Sequence, residues 1–374
     1  MANVNQIYTI INSIASQALG KTAVVNTDTS FVNLGTEILS SDKAVDAWFN
    51  ALIDRIGRTV MAMREYKANN AELKREPIEF GVILQKLAVQ MPDAVKNTSW
   101  NKQSDAASNP FDKSAMTIKQ TLFTDFSTWE VDGTIPDSQL KTAFTSASAM
   151  AALIDAIFTA MYNSLELSYE NTANLCRANF MALRKAKGYN LLSMYNTATN
   201  KTLTVNNALT DADFLRYSSM MINLVSNRMA VLSRTFNDGS IDKFTPRDMQ
   251  IINILADFNA RFTSYLQADT FHKELVALPN FKAVPYWQGS GTSWSFEDVS
   301  AIKVQPSSSE IPIEMKNVVA TIYDRDAMGV TIDNRRTKSI YNPKDEYTNY
   351  FMKADMGMYN DLSENGVVFY LEEV

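Results

Sequence analysis

The chain has 374 residues, of which 46% are hydrophobic and 20% charged, and a formal net charge of −6. That balance excludes a disordered polypeptide, which needs few apolar groups and high net charge, and the length allows two or three domains with sizeable cores. An acidic chain is a poor dedicated nucleic-acid binder, since phosphate contacts need a basic face. The single cysteine, Cys176, rules out an intrachain disulfide and suits a reducing compartment.

The first twenty residues lack the basic start and long apolar stretch of a signal peptide,. Ile7, Ile10, Ile11, Ile14 and Leu19 recur at helical spacing, so a helix is predicted over 3–19, with Gly20 as its stop. The following TAVVNTDTSFVNLG reads as an extended, loosely structured connection. A second helix is predicted from Ser41 to about Lys67, with Val45, Trp48, Phe49, Leu52, Ile53 and Ile56 on its apolar positions.

From Arg75 the pattern changes. Ile78, Phe80, Val82 and Leu84 alternate as in a strand. There follows QMPDAVKNTSWNKQSDAASNPFDKS, a polar run too long for an ordinary connection in a compact domain. Strand-like flanks on both sides predict a projecting hairpin with an open tip. Trp100 sits at that tip, either as a local clasp or as an anchor for a partner subunit, and the polarity of the loop favours the anchor.

The longest periodic run starts at Asp137 or Ser138. Leu140, Phe144, Ala147, Ala151, Ile154, Phe158, Met161 and Leu165 step by fours and threes. This keeps one apolar seam, continued less regularly through Tyr169, Cys176, Phe180 and Leu183 to Gly188. The seam fits a long helix packed along its own domain, or an intermolecular coil. Residues 189–309 read as a separate, mostly helical unit. Asp211 and Asp213 open a helix to about Ser233, and Thr245-Pro246-Arg247-Asp248 opens another to about Gln267. The remainder, 310–374, returns to strand-forming residues, and Val367 to Leu371 is apolar enough to be a buried strand.

Few residues offer chemistry. Leu19-Gly20-Lys21-Thr22 lacks the earlier glycine and preceding strand of a phosphate-binding loop. Asp238-Gly239-Ser240-Ile241-Asp242 copies the centre of a calcium loop, but Arg234 and Phe236 stand where oxygen ligands are needed, so it reads as a turn. His272 is the only histidine, which leaves triads and His-based metal sites without material. Cys176 lies on an apolar helix face and reads as a small core residue. Asp324/Asp326 and Asp345/Glu346 read as solvated turn acids. The expectation is a protein without catalytic residues, cofactor or metal.

The tail suggests why. Asp326-Ala327-Met328-Gly329, Asn334-Arg335-Arg336-Thr337, Tyr341-Asn342-Pro343, Glu346-Tyr347-Thr348-Asn349-Tyr350-Phe351 and Asn360-Asp361-Leu362 with Glu364-Asn365-Gly366-Val367 follow in order. In that order they resemble the C-terminus of major capsid proteins of tailed double-stranded DNA bacteriophages, those with the Hong Kong 97-type shell fold. The resemblance implies an α+β fold. Its parts would be an N-terminal arm (1–40), a peripheral domain begun by 41–74, an extended β-hairpin loop (75–131), a spine helix (132–188), a mostly helical axial domain (189–309) and a return to the peripheral sheet (310–374).

It further implies a virion subunit that self-assembles into pentamers and hexamers of an icosahedral shell. Identical subunits would be its main partners, with portal, scaffolding and accessory head proteins beside them. Packaged DNA would be touched non-specifically, assembly would occur in the bacterial cytoplasm, and no membrane would be involved. Trp100, Lys96, Lys102, Arg335 and Arg336 become candidates for inter-subunit contact. Some family members cross-link a loop lysine to a neighbour's asparagine, but no motif selects among Lys86, Lys96 and Lys102. Two other readings stay open: a phage adaptor or tail component that oligomerises through its long helix, and an enzyme relying on Asp, Glu, Lys and Tyr alone.

Overall fold

The computed structural model describes residues 4–19, 27–38, 47–48, 66–75, 84–92, 94, 111, 113, 115–124, 126–136, 147–239, 241–269, 281–288, 293–305 and 311–373. They form helices α1 (Val4–Leu19) and α2 (Asp28–Ile38), strands β1 (Lys74–Arg75), β2 (Leu84–Val89), β3 (Ile118–Phe123) and β4 (Phe126–Pro136), and the long helix α3 (Ala147–Leu183). Next come β5 (Tyr189–Asn190), α4 (Leu191–Thr199), α5 (Val205–Ala208), α6 (Ala212–Met229), β6 (Gln250–Leu255), α7 (Ala256–Asp269) and β7 (Phe281–Val284). The chain continues with α8 (Phe296–Val299), β8 (Ile302–Val304), β9 (Ile313–Met315), β10 (Val318–Asp324), β11 (Met328–Asn342), β12 (Tyr347–Asn360) and β13 (Gly366–Tyr370). The class is α+β, as expected. Two compact units divide the chain: 1–71, 126–171 and 331–357 form the first, and 72–125, 172–330 and 358–374 the second.

In the first unit the long strands lie side by side in one sheet in the order β11-β12-β4. β12 and β4 pair antiparallel from Tyr347 opposite Pro136 to Gly357 opposite Phe126. Along β12, Thr348, Tyr350, Met352, Ala354 and Met356 are buried while the residues between them are not. This is the period-two signature of a sheet with one covered face. The cover is α3: Phe158, Met161, Leu165 and Tyr169 are buried. The Phe158 ring meets Tyr350 edge-on at 6.1 Å, and the Met161 sulfur would lie 3.0 Å from a side chain placed at Gly133. Each such large side chain contributes roughly 1.5–3 kcal/mol by its burial. From Phe158 to Tyr169 the apolar seam thus packs within the first unit, the first of its two expected uses.

The second unit is centred on a five-stranded sheet of order β5-β13-β10-β6-β7. β10 is antiparallel to both neighbours, with Ile322 opposite Val367 on one side and Ile252 on the other. Every residue of β10 is buried, so its nearly unbroken apolar run reflects two covered faces rather than one. Helices α4, α6 and α7 enclose the sheet in a core that includes Leu192, Phe214, Ile222, Phe258, Trp287 and Phe369. Local chemistry sets the helix starts: Asp211, expected as an acid of the first turn, caps α6 instead by accepting from the Phe214 amide at 2.8 Å,. Asn200 takes the left-handed conformation (φ 54°) that ends α4,.

Three expectations are corrected. The stretch read as an extended connection contains α2; Thr27 and Ser30 exchange hydrogen bonds at its start, and Leu34 and Ile38, one turn apart, are buried. The signal was a reciprocal cap inside a polar run. The helix expected from Thr245 is delayed: Pro246 opens only a turn, with the Met249 amide on its carbonyl at 3.0 Å. Gln250 to Leu255 form a strand, and the helix starts at Ala256. The slot between β10 and β7 satisfies both backbone edges of this β-branched segment and overrides the cap.

Lastly, residues 189–309 are not a separate unit, and the tail does not return to one sheet. β10 and β13 join β6 in the second unit, while β11 and β12 supply the long strands of the other sheet. A strand can be read from sequence, but its pairing partners are chosen by tertiary structure. Within the predicted helix from Ser41 to about Lys67, only 47–48 and 66–67 are described; the start of the long helix over 137–146 lies outside the described residues.

Candidate assembly surface

β2 and β3 pair antiparallel, Leu84 opposite Phe123 through Val89 opposite Ile118, so the expected hairpin is present. The Gln90 amide continues the ladder to the Thr117 carbonyl at 2.9 Å. Residues directly opposite share a face. One face carries Gln85 with Leu122, Leu87 with Gln120, and Val89 with Ile118; Met91 and Met116 extend its line past the strand ends. Leu87, Val89, Ile118 and Leu122 are 60%, 53%, 64% and 54% exposed. This is a contiguous bare apolar stripe, where scattered single residues would need no explanation.

The opposite face is held to its own unit. Lys86 Nζ lies 2.7 Å from Asp361 and 2.5 Å from Glu364. The Phe123 ring sits 5.3 Å from the Tyr359 ring, and Lys119 Nζ donates to the Gly239 carbonyl. Burial pulls the Lys86 ammonium down, but the two carboxylates outweigh it and leave its pKa raised. For Asp361, burial pushes upward, and Lys86 with Ser363 outweighs that, leaving it lowered. Both groups are therefore held in their charged forms.

The residues named from sequence behave differently. Arg335 pairs with Glu166 at 2.7 Å, and Arg336 grips Asp355 with both terminal nitrogens at 2.7 and 3.2 Å. These cations are engaged within their own chain. Trp100, Lys96, Lys102 and His272 lie outside the described residues. Cys176 is fully buried, and burial pushes its thiol up to about 12, which makes it an inert core residue. Asp324 is no solvated turn acid: it is buried and accepts from Thr245 Oγ1 at 2.6 Å. Asp238 faces Arg184 at 3.1 Å and Lys187 at 2.8 Å, so cations occupy the acids of the Asp-Gly turn. Sequence reasoning missed the stripe itself. Its signal was a change of phase: alternation through Leu84 gives way to Leu87 and Val89, placing apolar groups on both hairpin faces.

Among the described residues no helix is long and apolar enough to cross a membrane. Comparison with known proteins gives a consistent picture. The chain is 28% identical over 242 residues to the major capsid protein of Streptococcus phage Cp-1, covering 63% of this chain and 62% of that protein, less than two thirds of its length. It is 21% identical over 355 residues to the major capsid protein of Bacillus phage B103, covering 93% and 69%. Solved capsids share the fold. The capsid structure of Staphylococcus phage Andhra superposes with a TM-score of 0.55 at 9% identity, covering 84% of this chain and 87% of that one. That of Cyanophage P-SCSP1u gives 0.50 at 9% identity, covering 85% and 92%. The sequence model of the Phi29-like phage major capsid protein family matches residues 9–370, and the chain belongs to that family.

Proposed function

We propose that this chain builds the head shell of a tailed phage, its copies joining in pentamers and hexamers of an icosahedral container around the genome. The observation that carries the reading is the bare apolar stripe on β2–β3 in a member of a capsid protein family. An apolar face of this kind needs a cover, and a chain present in many copies supplies one through heterologous contacts that close into rings. Obligate interfaces of this sort commonly bury more than about 2,000 Å².

The Hong Kong 97-type layout accommodates the elements. The pairing of β2 with β3 inside 75–131 supports an extended loop there, and α3 supports a spine helix inside 132–188. We assign the peripheral role to the first unit's long strands, and the axial role to 189–309 together with β10 and β13. Residues 1–40 act as the arm. Trp100, Lys96 and Lys102 on the loop, and Arg335 and Arg336 on β11, remain contact candidates. A net charge of −6 suits a wall that encloses DNA without gripping it. Assembly in the bacterial cytoplasm, with portal, scaffolding and accessory head proteins, completes the reading, which asks no catalysis of the chain.

The test is particle formation. Purified protein imaged by electron microscopy should form closed shells, and Leu87→Asp with Ile118→Asp should leave only small soluble oligomers. Wild-type-like shells from the double variant would overturn the role given to the stripe. A wild-type protein that stays a small oligomer would favour an adaptor that pairs through its helix.

A further inference from the structure

The face of the hairpin opposite the stripe ends on a site built to receive it. The loop from Asp361 to Asn365 is rigidly held: the Asp361 amide donates to Ala327 O at 2.7 Å, the Asp238 amide to Leu362 O at 2.9 Å, and the Gly366 amide to Phe236 O at 2.9 Å. Arg184, with a fully buried side chain, donates to the carbonyls of Leu362 and Glu364, both at 2.6 Å. The Ser363 amide turns back onto the Asp361 carboxylate at 2.8 Å. The two acid side chains of this loop are thereby preset, and Asp361 is only 2% exposed. Lys243 reaches Glu364 at 2.5 Å from another direction, and Lys86 is the cation that meets both Asp361 and Glu364.

We propose that Lys86 and the Asp361–Glu364 loop form an electrostatic latch that fixes the hairpin's orientation on its own subunit. The latch decides where the apolar stripe points before a second copy meets it. A two-stranded hairpin is marginal alone, and its backbone ladder does not set its angle to the body. The Lys86 ion contacts help to set it, beside Phe123 against Tyr359 and Lys119 on the Gly239 carbonyl, because they are short, partly desolvated and seated on the face opposite the stripe. Lys86 is thus a positioning residue for assembly. The inference rests on the shell-building reading and adds how the surface is regulated.

The experiment uses the full-length subunit, kept dilute and unassembled, with spin labels at Gln120→Cys on the hairpin and Val231→Cys on the body of the same unit. Cys176 is buried and unreactive, so labelling is selective. The inter-label distance distribution should be narrow with Lys86, stay narrow in Lys86→Arg, and broaden in Lys86→Met. Shell yield in unlabelled protein should fall roughly tenfold or more in Lys86→Met, as when one partner of a buried charge pair is lost, and recover in Lys86→Arg. An unchanged distribution in Lys86→Met overturns the latch, whatever the shells do. Failure of the wild-type chain to form shells counts against the assembly reading instead, while the distances still judge the latch.

Discussion

β10 and the β2–β3 hairpin are made of the same kind of residue and lie in the same unit, yet they use it in opposite ways. In Val318–Asp324 every side chain is buried between two paired neighbours. In the hairpin, Leu87, Val89, Ile118 and Leu122 are more than half exposed. The first segment stabilises the subunit; the second holds its apolar area in reserve for a partner. Strand-forming residues therefore do not distinguish fold from interface. What distinguishes them is whether the same chain provides a cover.

The comparison can be broken most sharply in the sheet. Phe369→Ala on β13 should cost the unassembled subunit about 3–5 kcal/mol, the range for emptying a buried aromatic site, read from its urea unfolding midpoint. Gly366→Ala should cost about 1–3 kcal/mol by overpacking, since the new methyl would lie 2.4 Å from the Phe180 ring. On the hairpin the expectation reverses. Leu87→Ser and Leu122→Ser should each move subunit stability by less than about 0.5 kcal/mol, while shell yield drops. A large loss of subunit stability there would mean that the stripe is core.

The smallest effect concerns acid. Asp361 is held below its ordinary value of 3.8, so its contribution is present above that value and lost as pH falls through the folded one. Asp324, raised mainly by burial, acts in the opposite sense: its contribution is present below 3.8 and lost as pH climbs through its higher folded value. Unfolding midpoints measured between about pH 3 and 7 should show Asp361→Asn flattening the acid limb and Asp324→Asn flattening the rise of the cost on the other side. Parallel curves for wild type and both variants would remove these two carboxyls from the account.

Much of the molecule was legible from sequence. The seam from Phe158 to Tyr169 predicted the buried face of α3 because helical periodicity is local. Asp211 and Asp213 predicted the start of α6, and the polar insertion between two strand-like runs predicted a hairpin, for the same reason. The errors arose where distant pairing outweighed local signals. Thr245-Pro246 resembled a helix start, but β10 and β7 claimed the next six residues as a strand. Arg335 and Arg336, read as contact candidates, also hold Glu166 and Asp355 of their own chain, which the sequence did not show.

The order of apolar and polar residues by itself determined the long helix, the hairpin, the buried terminal strand and the resemblance of the tail to capsid proteins. Tertiary structure alone decided that the tail serves two sheets and that Lys86 meets two preset carboxylates. It also decided that one hairpin face is left bare. Periodicity is written along the chain over a few residues, whereas burial and charge pairing depend on groups hundreds of residues away.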